Sequence, residues 1–181
     1  MICTRLEEEF PYSAAIERSP GPHLMDIVKD MARELFAAGN KYVDAPDLLQ
    51  FEKGYVWERV LSRAFGDGLA ERVGEIECDG IACSPDGVSV DGDGNLVVEE
   101  YKCTAMSSNK TPEDIWRWKM QAAGYCHAVG ATVAIFRVFN IQGDYKNFMP
   151  TYNVWRLEFT EAEVEDTWQS ITAHARHMGV I

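Results

Sequence analysis

The stretch CSPDGVSVDGDGNLVVEEYKC, residues 83–103, sets an aspartate after a proline, then a glycine-rich turn, then Glu100 and Lys102 flanking Tyr101 on a hydrophobic run. Successive side chains on a β-strand alternate faces, so Glu100 and Lys102 point one way while Glu99 and Tyr101 point the other. The segment DGDGN (91–95) lies between VSV and LVV and predicts a hairpin, because Asp, Gly and Asn accept the positive φ angles of tight turns. Its D-x-D-x-N spacing also suggests a calcium loop. That reading fails on Leu96 at the sixth position, where glycine is needed, and on Lys102 at the twelfth, where a carboxylate is needed.

Taken alone, Glu100 beside Lys102 reads as an exposed ion pair. Asp86 changes the balance: it opens the preceding strand, and pairing across the turn brings it towards Glu100. Two carboxylates and a backbone carbonyl make a hard-oxygen site suited to Mg²⁺ or Mn²⁺, whose charge offsets the repulsion between the acids. A lysine beside such an ion is placed to orient or deprotonate a water and to stabilise developing negative charge. Phosphodiester hydrolysis needs all of these parts.

Outside this block the chain divides into a helical part (1–68), a catalytic hairpin and helix (72–130), and closing strands with a helix (131–181). Residues 22–39 carry Leu24, Ile27, Val28, Met31, Leu35 and Phe36 at helical spacing and stop at Gly39. A second helix is expected over 46–65. After a three-strand meander between Arg72 and Thr104, a long helix opens at Thr111-Pro112-Glu113-Asp114 and runs to about Val129. Strands at 131–141 and 151–159 and an amphipathic helix at 161–178 complete a mixed α/β domain with a central sheet. Trp116 and Trp118, two apart, are expected on different faces, one in the core and one as a groove wall for DNA.

The 181 residues suit one domain, and no apolar run approaches the roughly 20 residues that span a bilayer. An acidic amino terminus without a basic and apolar leader suggests an intracellular protein. The five cysteines show no C-x-x-C pair and read as small, mostly buried thiols; His127, His174 and His177 show no ligand spacing and read as structural. The net charge of −12 speaks against a nonspecific nucleic-acid coat, though it leaves room for an enzyme with one local site.

The residues Ala82-Cys83-Ser84-Pro85-Asp86-Gly87 and Glu100-Tyr101-Lys102-Cys103 resemble the PD-(D/E)XK nuclease signature, in the form found in the lambda-exonuclease or YqaJ-like recombination exonucleases of viruses. Two outlying segments agree. Gln121-Ala122-Ala123-Gly124-Tyr125 is similar to that group's Q-x-x-x-Y motif, with Gln121 and Tyr125 on one helix face. Gly54-Tyr55-Val56-Trp57-Glu58 is similar to its upstream G-x-x-x-E, although Glu58 taken alone is a solvated helix charge.

The resemblance implies a restriction-endonuclease-like α/β core and a Mg²⁺-dependent DNA exonuclease, with Mn²⁺ able to substitute. Asp86, Glu100 and the Tyr101 carbonyl would hold the metal, Glu58 would contribute to it, Lys102 would assist the water, and Gln121 and Tyr125 would position the lysine or the phosphate. It further implies double-stranded DNA ends as substrate, a single-strand annealing protein as partner, and a homo-oligomer. Arg18 and Ser19 would engage a DNA terminus; a Pro-Gly-Pro turn entering a helix explains that segment equally well. An endonuclease on the same core, or a silent acidic DNA mimic, are the competing functions. Intact Lys102 argues against the mimic.

Overall fold

In a computed structural model, the structure describes residues 19–36, 47–65, 70 and 73–181. Among the described residues, four α-helices, α1 (Leu24–Phe36), α2 (Asp47–Phe65), α3 (Trp116–Val129) and α4 (Glu161–His177), accompany six strands: β1 (Ile76–Cys78), β2 (Ile81–Cys83), β3 (Gly87–Val90), β4 (Leu96–Thr104), β5 (Val133–Asn140) and β6 (Thr151–Glu158). Strands β3-β4-β5-β6 form one mixed sheet in that order, with β4 and β5 parallel and the outer pairs antiparallel. The parallel pair needs a crossover, and α3 supplies it.

The expected three-strand meander is instead two hairpins, because β1 and β2 pair with each other outside the main sheet. Asp79 and Gly80 turn the first hairpin at φ 50° and 78°. Consecutive positive φ angles match the twist of a two-residue hairpin turn. Ser84 and Pro85 then break the chain from β2 before β3 begins. The second hairpin turns on DGDGN as expected: the Asp91 carboxylate accepts from the backbone N–H of Asp93 at 3.0 Å and of Asn95 at 2.9 Å.

Alternation on the strands sorts the core into two layers. Val98 on β4 and Ala134, Phe136 and Val138 on β5 face Leu24, Ile27 and Val28 of α1, Ala122, Tyr125 and Cys126 of α3, and Val164, Trp168 and Ile171 of α4. Tyr101, Cys103 and Phe139 face the other way, onto Trp57 and Leu61 of α2. Helix α3 can lie close to α1 because residue 124 is glycine; a Cβ there would stand 2.9 Å from a Leu24 methyl. Helices α1 and α4 are also tied by His174, whose ring nitrogens lie 3.2 Å from Asp30 and 3.8 Å from Glu34.

The helix expected over 111–129 is divided. Thr111 and Asp114 close a short 3₁₀ turn, with the Thr111 N–H donating to the Asp114 carboxylate at 2.9 Å, and Ile115 is extended before α3 starts. Both tryptophans are half-buried and pack against the core. Trp118 stacks on Phe136, and Trp116 meets Phe36 edge-on. Cys83 and Cys126 are buried, Cys78 and Cys103 half-buried, and all four are free thiols; Cys3 lies outside the described residues.

Candidate active site

The register of β3 against β4 explains the Pro-Asp-Gly sequence. Gly87 lies opposite Glu99, so Asp86 falls opposite Glu100 and the next hydrogen-bonded pair would be Pro85 and Tyr101. Proline has no N–H to give the Tyr101 carbonyl. The Tyr101 N–H is taken instead by the Asp86 carboxylate, at 2.7 Å from Oδ2. A strand residue sends its N–H and C=O to the same side, so the Tyr101 carbonyl leaves β4 towards Asp86. Pro85 thus ends the ladder and directs two oxygens to one place, a positioning role that the motif alone does not reveal. Gly87 is required by crowding, since a Cβ there would meet the Ala70 methyl at 2.7 Å.

On the face towards α3, Glu100 is buried and its Oε2 accepts from Lys102 Nζ. The same ammonium donates to Gln121 Oε1 at 3.0 Å, and Gln121 Nε2 donates to the Tyr125 hydroxyl at 3.4 Å. The four residues form one chain of polar contacts from β4 into α3. Glu100 Oε1 is the exception: among the described residues it is the buried side-chain oxygen or nitrogen with no hydrogen-bond partner. Such atoms are rare in folded proteins and unfavourable by about 1–3 kcal/mol, more when charged.

Electrostatics follow from this placement. Burial pushes the Glu100 carboxyl up to about 7; Lys102 pulls it down, and Asp86 adds to the rise. Burial acts to lower Lys102, but Glu100 and Asp86 outweigh it and hold the ammonium above its ordinary value. Burial, and then the Glu100 charge, raise the Tyr125 phenol well above the usual tyrosine range, so it stays protonated.

The structure therefore brings Asp86, Glu100, Tyr101, Lys102, Gln121 and Tyr125 together. Glu58 is placed differently. It is half-buried on α2, one residue after Trp57, which stacks on Phe139 across the sheet from Glu100. Ser19 is exposed and its carbonyl meets the His23 ring at 3.1 Å; the Pro20-Gly21-Pro22 turn then docks on β2, where Ala82 N–H donates to the Pro22 carbonyl at 2.9 Å. The turn-into-helix alternative describes this segment. Arg18 lies outside the described residues.

No family model and no curated protein matches the chain. Solved structures do. The alkaline exonuclease LHK-Exo from Laribacter hongkongensis superposes with a TM-score of 0.52 at 16% identity, over 86% of this chain and 84% of that one. A complex of LHK-Exo with dAMP superposes with a TM-score of 0.55 at 14% identity, over 88% of each chain. This chain has the fold of that exonuclease. The mixed sheet flanked by helices is the architecture that the PD-(D/E)XK resemblance implies. No helix among the described residues is long and apolar enough to cross a membrane.

Proposed function

We propose that the chain is a divalent-metal-dependent DNA exonuclease, a single PD-(D/E)XK nuclease domain that hydrolyses phosphodiester bonds of linear DNA. One observation carries the reading: a buried carboxylate oxygen, Glu100 Oε1, without a partner beside a second carboxylate and a lysine. The donor set fits Mg²⁺, with Mn²⁺ able to substitute. Glu100 Oε1, Asp86 and the Tyr101 carbonyl are hard oxygen ligands, and a cation there would satisfy the orphan atom and hold Glu100 ionised. When bound, the ion supplies charge neutralisation at the phosphate and a water acidic enough to lose its proton near neutral pH.

The remaining chemistry belongs to the side chains. Lys102 keeps its proton and presents a fixed cation to the charge that develops on the phosphate and leaving oxygen. Gln121 accepts from Lys102 and donates to Tyr125, so it fixes the direction of the ammonium. Tyr125 remains a hydroxyl, able to donate to a phosphate oxygen. Glu58 would contribute to the metal through water, and Arg18 and Ser19 would engage the DNA terminus. Double-stranded DNA ends, a homo-oligomer and a single-strand annealing partner follow from the resemblance to viral recombination exonucleases, and LHK-Exo, structurally similar here, was solved with dAMP.

The test is a time course on end-labelled linear duplex and on closed circular DNA with Mg²⁺, Mn²⁺ or chelator. Metal-dependent loss of the linear substrate alone is expected, and it should vanish in Lys102→Ala. Cutting of the circle would replace the exonuclease with an endonuclease. No cleavage under any condition would leave the acidic mimic.

A further inference from the structure

Two adjacent side chains meet a third, far off in sequence, away from the candidate active site. Cys78 ends β1, Asp79 begins the turn, and His127 sits in the last turn of α3. The Cys78 sulfur, a carboxylate oxygen of Asp79 and a ring nitrogen of His127 all lie within 4.8 Å of one another. We propose that these residues form a second metal site, for Zn²⁺ or a comparably soft divalent ion, which staples the β1–β2 hairpin to α3.

The donor chemistry favours this ion. Thiolate, imidazole and carboxylate are the three ligand types zinc accepts, whereas the candidate active site offers oxygen alone. Zinc bond lengths of about 2.0–2.3 Å set tetrahedral ligand atoms about 3.3–3.8 Å apart. Closure by roughly 1 Å, within reach of side-chain rotation, completes the site.

The surroundings match those of a ligated metal. Glu165 Oε2 lies 3.6 Å from His127 Nδ1, in ion-pair range of the ring but beyond a hydrogen bond. The Trp168 indole N–H donates to Asp79 Oδ2 at 2.8 Å, and its ring stacks on His127 with centroids 4.6 Å apart and planes 10° from parallel. Both ligands are thereby oriented by α4. The tight turn accounts for Asp79 by itself, but it calls for neither a thiol nor an imidazole beside it. Asp79 is exposed, which opens the site to entering ions and leaves the fourth position to water.

The hairpin is already held by the Pro22 carbonyl on Ala82 N–H and by burial of Ile81 and Cys83. It has two three-residue strands and no neighbour in the main sheet, yet its chain leads through Pro85 to Asp86. Helix α3 carries Gln121 and Tyr125. A metal here would link the two segments that converge on the active site without touching the reacting groups.

The test uses the full chain and Co²⁺ as a spectroscopic probe, displaced by Zn²⁺. The expected result is a near-ultraviolet sulfur-to-cobalt charge-transfer band that saturates at one equivalent, disappears on adding Zn²⁺, persists in Cys103→Ser and is lost in Cys78→Ser. Zn²⁺ should raise the melting temperature of the wild type and leave that of Cys78→Ser unchanged, with far-ultraviolet circular dichroism confirming that the variant folds. Should Cys78→Ser not fold, His127→Gln must abolish the band in its place. Absence of the band in the wild type, or its survival in Cys78→Ser or His127→Gln, overturns the proposal.

Discussion

Glu99 and Glu100 are neighbours on β4, both buried, with relative exposures of 4% and 1%, and each beside a cation. They end in opposite situations. Glu99 turns to the α2 side, where Oε2 accepts from Arg137 Nε at 2.8 Å and from the Tyr101 hydroxyl at 3.5 Å. Its Oε1 accepts from Ser89 Oγ at 3.2 Å and Arg137 Nη2 at 3.4 Å. Both oxygens are satisfied by a forked guanidinium that suits a carboxylate. Glu100 turns to the α3 side, meets a point-charge ammonium through one oxygen, and leaves the other bare. A buried acid–base pair is thus structural when its donors match its acceptors. A surplus buried acceptor is an atom that a bound cation would satisfy.

The difference gives a ranked set of expectations. The largest effect should come from the α3 face: Lys102→Ala should lower the cleavage rate by about 10²–10⁴-fold, as loss of a positioned proton-bearing group does, and Glu100→Gln should abolish metal-dependent cleavage. Circular dichroism and urea unfolding should show both variants folded. The α2 face should behave in the reverse way. Arg137→Ala leaves the buried Glu99 with only the Ser89 and Tyr101 hydroxyls and should lose up to about 3–5 kcal/mol of stability in urea unfolding, while the surviving folded protein keeps its activity per molecule. Equal stability losses for Arg137→Ala and Glu100→Gln would erase the distinction between the two faces.

A smaller effect is expected at the far end of the polar chain. Tyr125→Phe removes one hydroxyl beside Gln121 and should slow cleavage by about two- to tenfold, the range of a single hydrogen bond. No change would take Tyr125 out of the working site.

The smallest effect is on stability against pH. The folded Glu100 carboxyl titrates near 7, above its ordinary 4.5, so it holds its proton more tightly folded than unfolded. Its stabilising contribution is complete below about 4.5 and is lost as pH rises through about 7. The metal-free protein should therefore show a falling melting temperature across that window, and Glu100→Gln should lack that component. Because a cation competes with the proton, raising Mg²⁺ should move the acid limb of the activity profile to lower pH.

Much of this was legible in residues 83–103. Alternation separated Glu100 and Lys102 from Glu99 and Tyr101, DGDGN marked its hairpin, and the i, i+4 spacing of Gln121 and Tyr125 is now a direct contact. What stayed hidden depends on pairings of high sequence separation. Arg137 reaches Glu99 only because β5 lies parallel to β4, a register that local patterning does not contain. Cys78 and His127 meet only after the first hairpin folds onto α3. The break at Ile115 was masked by a good capping sequence, which closes a separate 3₁₀ turn instead of starting the helix. Glu58 follows Trp57 on α2, a helix whose packing on the Tyr101 face of β4 rests on contacts of long sequence separation.

The most direct test is metal binding at Glu100, read from the free-ion electron paramagnetic resonance signal during Mn²⁺ titration. Mn²⁺ is suited because it binds oxygen donors and is the weakest of the divalent first-row ions at nitrogen and sulfur sites. Wild-type protein should take up the ion with a bound fraction that falls at least about tenfold in affinity in Glu100→Gln, without loss of fold. Uptake of equal strength in both proteins would contradict the reading of Glu100 Oε1 as a metal ligand.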